Sequence, residues 1–436
     1  MLCVMIRRKM MKKIAIIGAG LSGLTMAYNI KKNCGANVVI FEKGKCYIER
    51  IEVESNELLC GEGGAGTVFG GKLCFPPASS GVWLRSKLNH IMFEKFTQTC
   101  VDSFVPNKNI PKIVSATQLY HKRENLFFKD YESVFLTKSE MRMFVGDLID
   151  KVKDSGTVIY NKCEFLNYVE KNGKFYVKCS HNELKQEEYE FDYLVFASGR
   201  WSSDSTLKWL SNHTSVTLQN PDLGIRFSIK HKDSPVFENI GKDVKIKAKL
   251  GNIGVRTFCV CSGGNKTSVD LKGTKYYDGH FDDKITNEVN MGVLARSPYI
   301  FGYEGAALFC SCLKDYLDAD FSLKDFMKYS HRMIKETNIY SDVLDSINCF
   351  LNMLKQEHII DENLDKYPVW LPSVDRLNPI IWTNHNFETA THNLYVIGDA
   401  VGISRGFVQS MWSAYCASED IIKKVKGQEY KEKMII

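Results

Sequence analysis

The chain of 436 residues is 44% hydrophobic and 25% charged, so it can bury a large core and exceeds the usual size of one compact domain. Its net charge of +6 comes from basic and acidic residues spread along the chain, which argues against a nucleic-acid-binding stripe. Fourteen irregularly spaced cysteines and no recognisable secretory leader predict free thiols in a reducing compartment, so the expected location is cytoplasmic.

Neither a transmembrane segment nor a metal site is expected. No apolar run approaches the roughly 18 residues that a membrane span needs, and His and Cys show no metal-ligand spacing. Residues 1–10 are predicted to be an N-terminal extension, because Met11 begins a more natural start.

The first predicted elements form a βαβ unit. Lys13–Ile17 is a short apolar strand, Leu21–Lys32 has helical spacing, and Asn37–Glu42 is a second strand. Between the first strand and the helix lies a GxGxxG motif made of Gly18, Ala19, Gly20, Leu21, Ser22 and Gly23. This context predicts a dinucleotide site in which the pyrophosphate lies on the helix N-terminus.

The end of the second strand completes that site. Glu42 is placed to accept hydrogen bonds from a ribose hydroxyl pair, and an acidic residue there disfavours NADP. Lys43 beside it is a further candidate cofactor contact.

The next elements predict a sheet that is interrupted and later resumed. Ser139–Lys153 has a helical pattern, a hairpin turns at residues 171–174, and Tyr193–Ala197 is a buried strand. Residues 213–375 change to alternating Lys-rich stretches followed by helical patterns, and Leu394–Gly398 returns to parallel-strand character before a helix over about 409–426. We therefore predict two domains: a dinucleotide-binding domain formed by 11–212 and 376–436, and a substrate domain at 213–375 inserted into it.

Two later glycine turns favour FAD over NAD. The strand at 193–197 ends in Ala197, Ser198 and Gly199, which resembles the second strand-to-glycine motif of two-dinucleotide-fold flavoproteins. The strand at 394–398 ends in Gly398 and Asp399, which resembles the flavin ribityl motif of the same superfamily, with Asp399 on the ribityl hydroxyls. Backbone N–H groups of the following turn and helix would face the flavin pyrimidine ring; the residues are Arg405, Gly406, Phe407, Val408 and Gln409.

The long glycine-rich loop at 55–81 carries the most specific resemblance. Its CGEGGAGT segment at 60–67, which continues to GGKL at 70–73, resembles the GEGGAGT…DGKL segment of a group of poorly characterised FAD-dependent dehydrogenases. The resemblance implies an α/β fold: a Rossmann-like, glutathione-reductase-like (GR2-type) FAD-binding domain with an inserted α+β substrate domain. It also implies further cofactor contacts, namely Gly63, Gly64, Ala65, Gly66, Thr67, Lys72, Leu73 and Glu164.

Catalytic residues are predicted only as candidates. Cys259 and Cys261 form a CxC motif that could be a reactive thiol pair, although two small buried residues beside a Gly-Gly turn remain the alternative. Tyr303, Tyr277 and His280 are candidate proton donors.

Three arginines are candidates for binding an anion. Arg226 and Arg256 of the inserted domain are predicted to bind a substrate carboxylate or phosphate, because the planar guanidinium suits such ions. Arg405 beside the last glycine turn is a candidate for both the catalytic and the cofactor site.

The function expected from these motifs is an FAD-dependent oxidoreductase that moves a hydride between flavin N5 and a C–C or C–N bond of a small anionic metabolite. A second complete GxGxxG is missing, so NAD(P)H would bind transiently or not at all. The alternatives are an FAD-dependent enzyme that modifies nucleic acid such as tRNA, and a flavin-binding scaffold without activity. The expected partner is a small molecule rather than a stable nucleic acid, and the expected state is a monomer or homodimer.

Overall fold

The computed structural model describes residues 11–427 except 51, 53, 106–107, 112–119, 124, 130, 183, 238–242, 318, 335–338 and 366. The predicted extension at 1–10 and the last residues of the predicted first domain, 428–436, lie outside the described part of the chain.

The helices and strands are numbered in chain order. The helices are Leu21–Asn33 (α1), Ser80–Arg85 (α2), His90–Thr97 (α3), Lys138–Asp154 (α4), Thr206–Leu210 (α5), Gly302–Cys312 (α6), Leu323–Met333 (α7), Ile339–Gln356 (α8) and Phe407–Lys426 (α9). The strands are Lys13–Ile17 (β1), Asn37–Phe41 (β2), Gly71–Cys74 (β3), Tyr120–Arg123 (β4), Leu126–Lys129 (β5), Ser133–Leu136 (β6), Val158–Tyr160 (β7), Cys163–Lys171 (β8), Lys174–His181 (β9), Lys185–Phe191 (β10), Tyr193–Phe196 (β11), Val216–Thr217 (β12), Asp222–Lys230 (β13), Lys245–Leu250 (β14), Ile253–Ser262 (β15), Asn265–Leu271 (β16), Thr274–His280 (β17), Glu288–Arg296 (β18), Val369–Asp375 (β19), Ile380–Ile381 (β20) and Leu394–Val396 (β21).

A five-stranded parallel sheet forms the centre of the first half of the fold. Its order is β21-β11-β1-β2-β7, and Ile14 of β1 pairs with Tyr193 on one side and Val38 on the other. β1 and β11 are continuous apolar runs because successive side chains are buried on both faces of the sheet. Helix α1 contacts β1 and β2, and the three-stranded sheet β10-β9-β8 contacts β1, β2 and β11. All carboxyl ends of these strands lie on one edge, as expected for a doubly wound α/β sheet.

A seven-stranded antiparallel sheet forms the centre of the other half. Its order is β19-β13-β18-β15-β14-β5-β4, and α8 packs on β13, β15 and β18. Leu344, Ile347 and Leu351 recur at helical spacing on the buried face of α8. This amphipathic helix therefore covers the face of the sheet that would otherwise expose its apolar side chains.

The two sheets have separate hydrophobic cores. One core surrounds the parallel sheet and includes residues from the C-terminal helix α9; the other lies between the antiparallel sheet and helices α6, α7 and α8. Strands β4 and β5, from the range predicted for the dinucleotide-binding domain, join the antiparallel sheet through pairing of β5 with β14. The domain boundaries at 212/213 and 375/376 stay a prediction. The pairing of β5 with β14 departs from that prediction, because it joins a strand of the first predicted domain to the sheet of the second.

The structure contains the hairpin turn that the sequence predicts at residues 171–174. The hairpin between β8 and β9 turns at Asn172 and Gly173, whose φ values of 52° and 69° match the turn predicted from their sequence.

Within the described ranges, no helix combines the length with the apolar character that crossing a bilayer would require.

Candidate functional site

A cleft of about 830 Å³ lies between the carboxyl edge of the parallel sheet and the antiparallel sheet. Its volume is in the upper part of the range of small-molecule sites. The cleft receives the glycine turns after β1, β11 and β21 on one side, and residues of β5, β14 and β15 on the other. The two sheets therefore enclose one shared site.

The first glycine turn has the close approaches that a dinucleotide motif requires. Gly18 has φ 107°, and a Cβ there would lie 2.6 Å from the carbonyl oxygen of Ala197. A Cβ on Gly23 would lie 2.1 Å from the carbonyl oxygen of Gly18, so helix and strand pack too closely for a side chain. A Cβ on Gly20 meets no atom within 4 Å, and no side chain caps α1 there. The free N–H groups of α1 and the open space beside Gly20 together fit a bound phosphate.

Glu42 holds the neighbouring turns together. Its carboxylate is buried and accepts hydrogen bonds from the backbone N–H groups of Ala19 (2.8 Å), Gly44 (2.8 Å) and Gly61 (2.9 Å). Glu42 also lines the cleft. Its carboxylate can therefore hold the glycine loops together through these hydrogen bonds and also face a ribose. The predicted ribose contact stays a prediction.

Arg50 organises the long glycine-rich loop. The side chain is fully buried and donates to the carbonyl oxygens of Glu62 (2.9 Å) and Gly64 (2.8 Å), and to those of Glu57 and Leu58. These bonds fold the loop back on itself so that the segment 63–66 lines the cleft. Arg50 was not predicted from the sequence, where its position ahead of a long glycine-rich loop is the available signal.

The second glycine turn brings a further arginine into the cleft. Arg200 follows Gly199 and donates to Tyr276 Oη and Asp278 Oδ2, both at 3.2 Å. Burial opposes the charge of Arg200, but Tyr276, Asp278 and Asp399 outweigh it and raise its pKa. This arginine, which was also not predicted from the sequence, links the parallel sheet to β17 of the antiparallel half.

The third glycine turn presents a carboxylate to the cleft. Asp399 lines the cleft, and its side chain has no hydrogen-bond partner among the described residues. Burial raises the pKa of Asp399, and Arg200 opposes that shift. An unpaired carboxylate in a cleft fits ligand hydroxyl groups, which would donate the missing hydrogen bonds.

Helix α9 begins at the same edge of the cleft. Gly406 precedes it with φ 112°, no side chain caps its first turn, and Phe407 and Ser410 line the cleft. Gln409 instead turns away and donates to the carbonyl oxygens of Cys74 (3.0 Å) and Ala78 (3.2 Å). Gln409 therefore holds the start of α9 against β3 rather than facing a ligand.

The opposite wall of the cleft contains two groups of ion pairs. In the first, Lys72 Nζ lies 3.1 Å from Asp243 Oδ1, and both side chains are buried. Burial disfavours the charge on Lys72, but the Asp243 carboxylate outweighs it and raises the lysine pKa. Tyr131 Oη also donates to Asp243, and Val260 N–H donates to it at 3.1 Å.

In the second group, two aspartates share four arginines. Asp222 accepts from Arg256 Nε at 3.1 Å and Arg296 Nε at 2.6 Å, and Arg376 Nε lies 3.5 Å from it. Asp375 pairs with Arg256 at 3.1 Å and also with Arg405. All six residues line the cleft, so this part of the wall keeps an excess of positive charge.

The CxC motif also lies in the cleft wall. Cys259 Sγ and Cys261 Sγ are 3.4 Å apart at an irregularity in the pairing of β15 with β18, where Cys259 has φ 42°. The hydrogen bond from Cys261 lowers the Cys259 pKa to about 7; burial opposes this shift and the Arg226 charge supports it. The same bond and burial raise the pKa of Cys261.

Several predicted residues lie elsewhere. Arg226, predicted to bind substrate, is fully buried behind the cleft lining, where it donates to Asn290 Oδ1 at 2.6 Å. Tyr303 lies outside the cleft, on α6, which packs against β17. Its hydroxyl donates to Leu271 O at 3.0 Å. Outside the cleft lining are also Tyr277, His280, Ala19, Gly23, Thr67, Leu73, Gly398, Val408 and Gln409.

The other predicted residues come together around the cleft. Those that line it for the cofactor are Gly18, Gly20, Leu21, Ser22, Glu42, Lys43, Gly63, Gly64, Ala65, Gly66, Lys72, Glu164, Ala197, Ser198, Gly199, Asp399, Arg405, Gly406 and Phe407. Arg256, Cys259 and Cys261 line it as well.

The fold and the cleft have the arrangement of a Rossmann-type dinucleotide-binding domain. Residues 12–222 match the family model described as pyridine nucleotide-disulphide oxidoreductase, a segment that ends at the start of β13. This match confirms the predicted fold class and supports FAD as the predicted cofactor. The resemblance to dehydrogenases with the GEGGAGT segment stays a prediction. The comparison with curated proteins found no match.

Solved structures with a similar arrangement are distant in sequence. A flavoprotein/dehydrogenase from Cytophaga hutchinsonii is 12% identical, with 97% of this chain and 81% of that chain covered and a TM-score of 0.45. Aklavinone-11 hydroxylase in a ternary complex with FAD and aklavinone is 10% identical, with 96% and 63% covered and a TM-score of 0.42. CtdE in complex with FAD and a substrate is 13% identical, with 95% and 84% covered and a TM-score of 0.38. Scores this low do not support an inference about activity.

Proposed function

We propose that the protein is an FAD-dependent oxidoreductase that transfers a hydride between flavin N5 and a C–C or C–N bond of a small anionic metabolite. The observation that supports this proposal is the convergence of three glycine turns on one cleft: the turns after β1, β11 and β21 all line it. One turn alone would fit any nucleotide, whereas three along one sheet edge fit an elongated dinucleotide.

Different parts of the cleft would hold different parts of FAD. The α1 N-terminus and the segment 63–66 would hold the pyrophosphate, since both offer backbone without obstructing side chains. Glu42 would hold the adenosine ribose and Asp399 the ribityl hydroxyls. FAD, when bound, supplies the group that accepts or donates a hydride.

The remaining wall would bind and orient the substrate. Arg256 and Arg405 face the cleft with a charge that Asp222 and Asp375 only partly neutralise. A planar guanidinium can hold a carboxylate or phosphate in a fixed orientation. These arginines would therefore set the position of the reacting carbon, and Cys259 is the candidate for moving a proton at its Sγ.

The proposal is tested by purifying the protein and recording its visible spectrum before and after incubation with excess FAD. A yellow protein whose visible band bleaches anaerobically with NADH, NADPH or a pool of small anionic metabolites would support it. Bleaching by a pyridine nucleotide indicates a reductase, and bleaching by a metabolite alone indicates a dehydrogenase or oxidase. Protein that stays colourless with excess FAD would overturn the proposal.

The same preparation separates hydride transfer from the other flavin chemistries. Product that contains oxygen from labelled O₂ would contradict simple hydride transfer and indicate oxygen insertion. A bound flavin that neither pyridine nucleotides, metabolites nor dithionite can reduce would contradict an enzymatic role.

A further inference from the structure

Like charges face each other across adjacent strands in the cleft wall. Lys129 of β5 is the direct partner of Lys245 on β14, and Lys247 of β14 is the direct partner of Arg256 on β15. All four residues line the cleft. Directly opposed like charges destabilise a sheet, so an anion bound beside them would offset this repulsion.

Among the described residues, no carboxylate of the wall forms an ion pair with the first pair of lysines. Asp243 is within 4 Å of Lys72, whereas no carboxylate of the described residues lies within 4 Å of Lys129 Nζ or Lys245 Nζ. Lys129 Nζ donates to the carbonyl oxygen of Pro77 at 3.1 Å, and Lys245 Nζ donates to Tyr131 Oη at 3.4 Å. Neutral oxygens are the nearest acceptors of both ammonium groups.

In the second pair, the Arg256 guanidinium is only partly neutralised. Arg256 shares Asp222 and Asp375 with the other arginines of the wall. Together, the two groups of ion pairs and the facing lysines place eight cationic side chains and three carboxylates on this part of the wall. The cations are Lys72, Lys129, Lys245, Lys247, Arg256, Arg296, Arg376 and Arg405, and the carboxylates are Asp222, Asp243 and Asp375.

We infer that the substrate of the proposed oxidoreductase is a small polyanion, with one anionic group held between Lys129 and Lys245 and a second between Lys247 and Arg256. This inference rests on the proposed function and narrows its substrate class. Residues two apart on one strand project to the same face about 7 Å apart, so Lys245 and Lys247 define two adjacent anion subsites. A polycarboxylate and a phosphorylated compound share this chemistry.

The lowered pKa values of the three lysines fit such a ligand. Burial lowers the pKa of Lys129 to about 7, with further lowering by Lys245, Lys247 and Arg256 against the opposing effect of Asp243. Burial likewise lowers the pKa values of Lys245 and Lys247 to about 8. An anion between these groups favours their charged forms, so binding near pH 8 takes up protons.

The inference is tested by calorimetry on the FAD-loaded protein at constant ionic strength. The probes are acetate, succinate, citrate and inorganic pyrophosphate, each titrated near pH 8 in Hepes and in Tris. We expect succinate, citrate or pyrophosphate to bind at least about tenfold more tightly than acetate, with proton uptake shown by the difference between the two buffers. Tighter citrate than pyrophosphate indicates a polycarboxylate substrate, and the reverse indicates a phosphorylated one.

Matched lysine variants assign the site. Lys245→Met should lower the affinity for the tightest-binding probe about tenfold, because one charge-assisted contact is lost. Lys249→Met on the same strand should leave the affinity unchanged, since Lys249 is exposed and outside the cleft lining. The melting temperature of Lys245→Met should not fall, because the substitution removes repulsion with Lys129.

Equal affinities for acetate and the polyanions, or unchanged affinity in Lys245→Met, would overturn the inference. Neither result touches the proposed function, whose failure would appear separately as protein that does not acquire the visible flavin band.

Discussion

Gly63 donates its backbone N–H to the carbonyl oxygen of Ala19 at 2.8 Å. This bond joins the long glycine-rich loop to the first glycine turn, 44 residues earlier in the chain. A Cβ on Gly64 would lie 3.3 Å from the Cα of Gly20, so the two backbones run close together. Two segments without bulky side chains thereby form one wall of the cleft.

The first prediction concerns the second glycine of the GxGxxG motif. Gly20→Val should weaken FAD binding by about tenfold or more, because the new side chain occupies the space where backbone approaches the pyrophosphate. The fold should survive, since an added Cβ meets no protein atom within 4 Å and the loss of the glycine cap costs about 1 kcal/mol at most.

The measurement is FAD titration by flavin fluorescence, with thermal unfolding of the FAD-free protein. Gly35→Val is the matched control, because a Cβ there also meets no atom within 4 Å but Gly35 lies outside the cleft lining. Equal FAD affinity in both variants would place the pyrophosphate elsewhere.

The second prediction concerns the buried arginine that folds the glycine-rich loop. Arg50→Met should lower the free energy of unfolding by about 3 kcal/mol, because carbonyl oxygens at 57–64 lose their buried donor. Arg123→Met should change it by less than about 0.5 kcal/mol, since Arg123 forms an exposed ion pair with Glu357. Urea unfolding measures both, and similar losses in the two variants would contradict this role for Arg50.

The third prediction concerns acid stability. Asp192 accepts from Lys13 N–H, Lys12 Nζ and Lys174 Nζ, each at 2.9 Å. Burial opposes the charge, but these contacts outweigh it and lower the Asp192 pKa. A carboxyl group whose pKa is lower in the folded state stabilises the fold above its unfolded pKa, and that contribution disappears as the pH falls through the folded value.

Asp192→Asn should therefore lower the free energy of unfolding by about 1–2 kcal/mol at pH 7. The difference from the unaltered protein should shrink steadily below about pH 4. Urea unfolding across this pH range measures it, with the exposed Asp365→Asn as the control. A difference that stays constant down to pH 2 would be inconsistent with a contribution from the charged carboxylate.

The fourth prediction concerns the thiol pair. Cys259 should react with iodoacetamide with a pH midpoint near 7, because the hydrogen bond from Cys261 stabilises its thiolate. Cys261→Ser should shift the Cys259 midpoint, since the sulfur partner that sets it is replaced. Mass spectrometry of labelled peptides reports each cysteine separately. Labelling of Cys261 ahead of Cys259 at neutral pH would reverse the assignment.

The sequence by itself determined the dinucleotide half of the fold. β1, α1 and β2 are close in the chain, and glycines 18, 20 and 23 have roles that depend on backbone geometry within that short unit. Local periodicity and turn chemistry predict such a unit because few distant contacts compete with it. The turns after β11 and β21 were predicted from apolar strands that end in glycine and from their resemblance to flavoprotein motifs.

Only the tertiary structure decided the opposite wall. Lys129 and Lys245 become strand partners although 116 residues separate them, and β5 lies in a range where the sequence predicted the other domain. The tertiary structure also buries Arg226 behind the cleft lining and places Tyr303 outside the cleft. Strand pairing depends on which distant strands bury each other's apolar faces, and the residue pattern of one strand does not specify its partner.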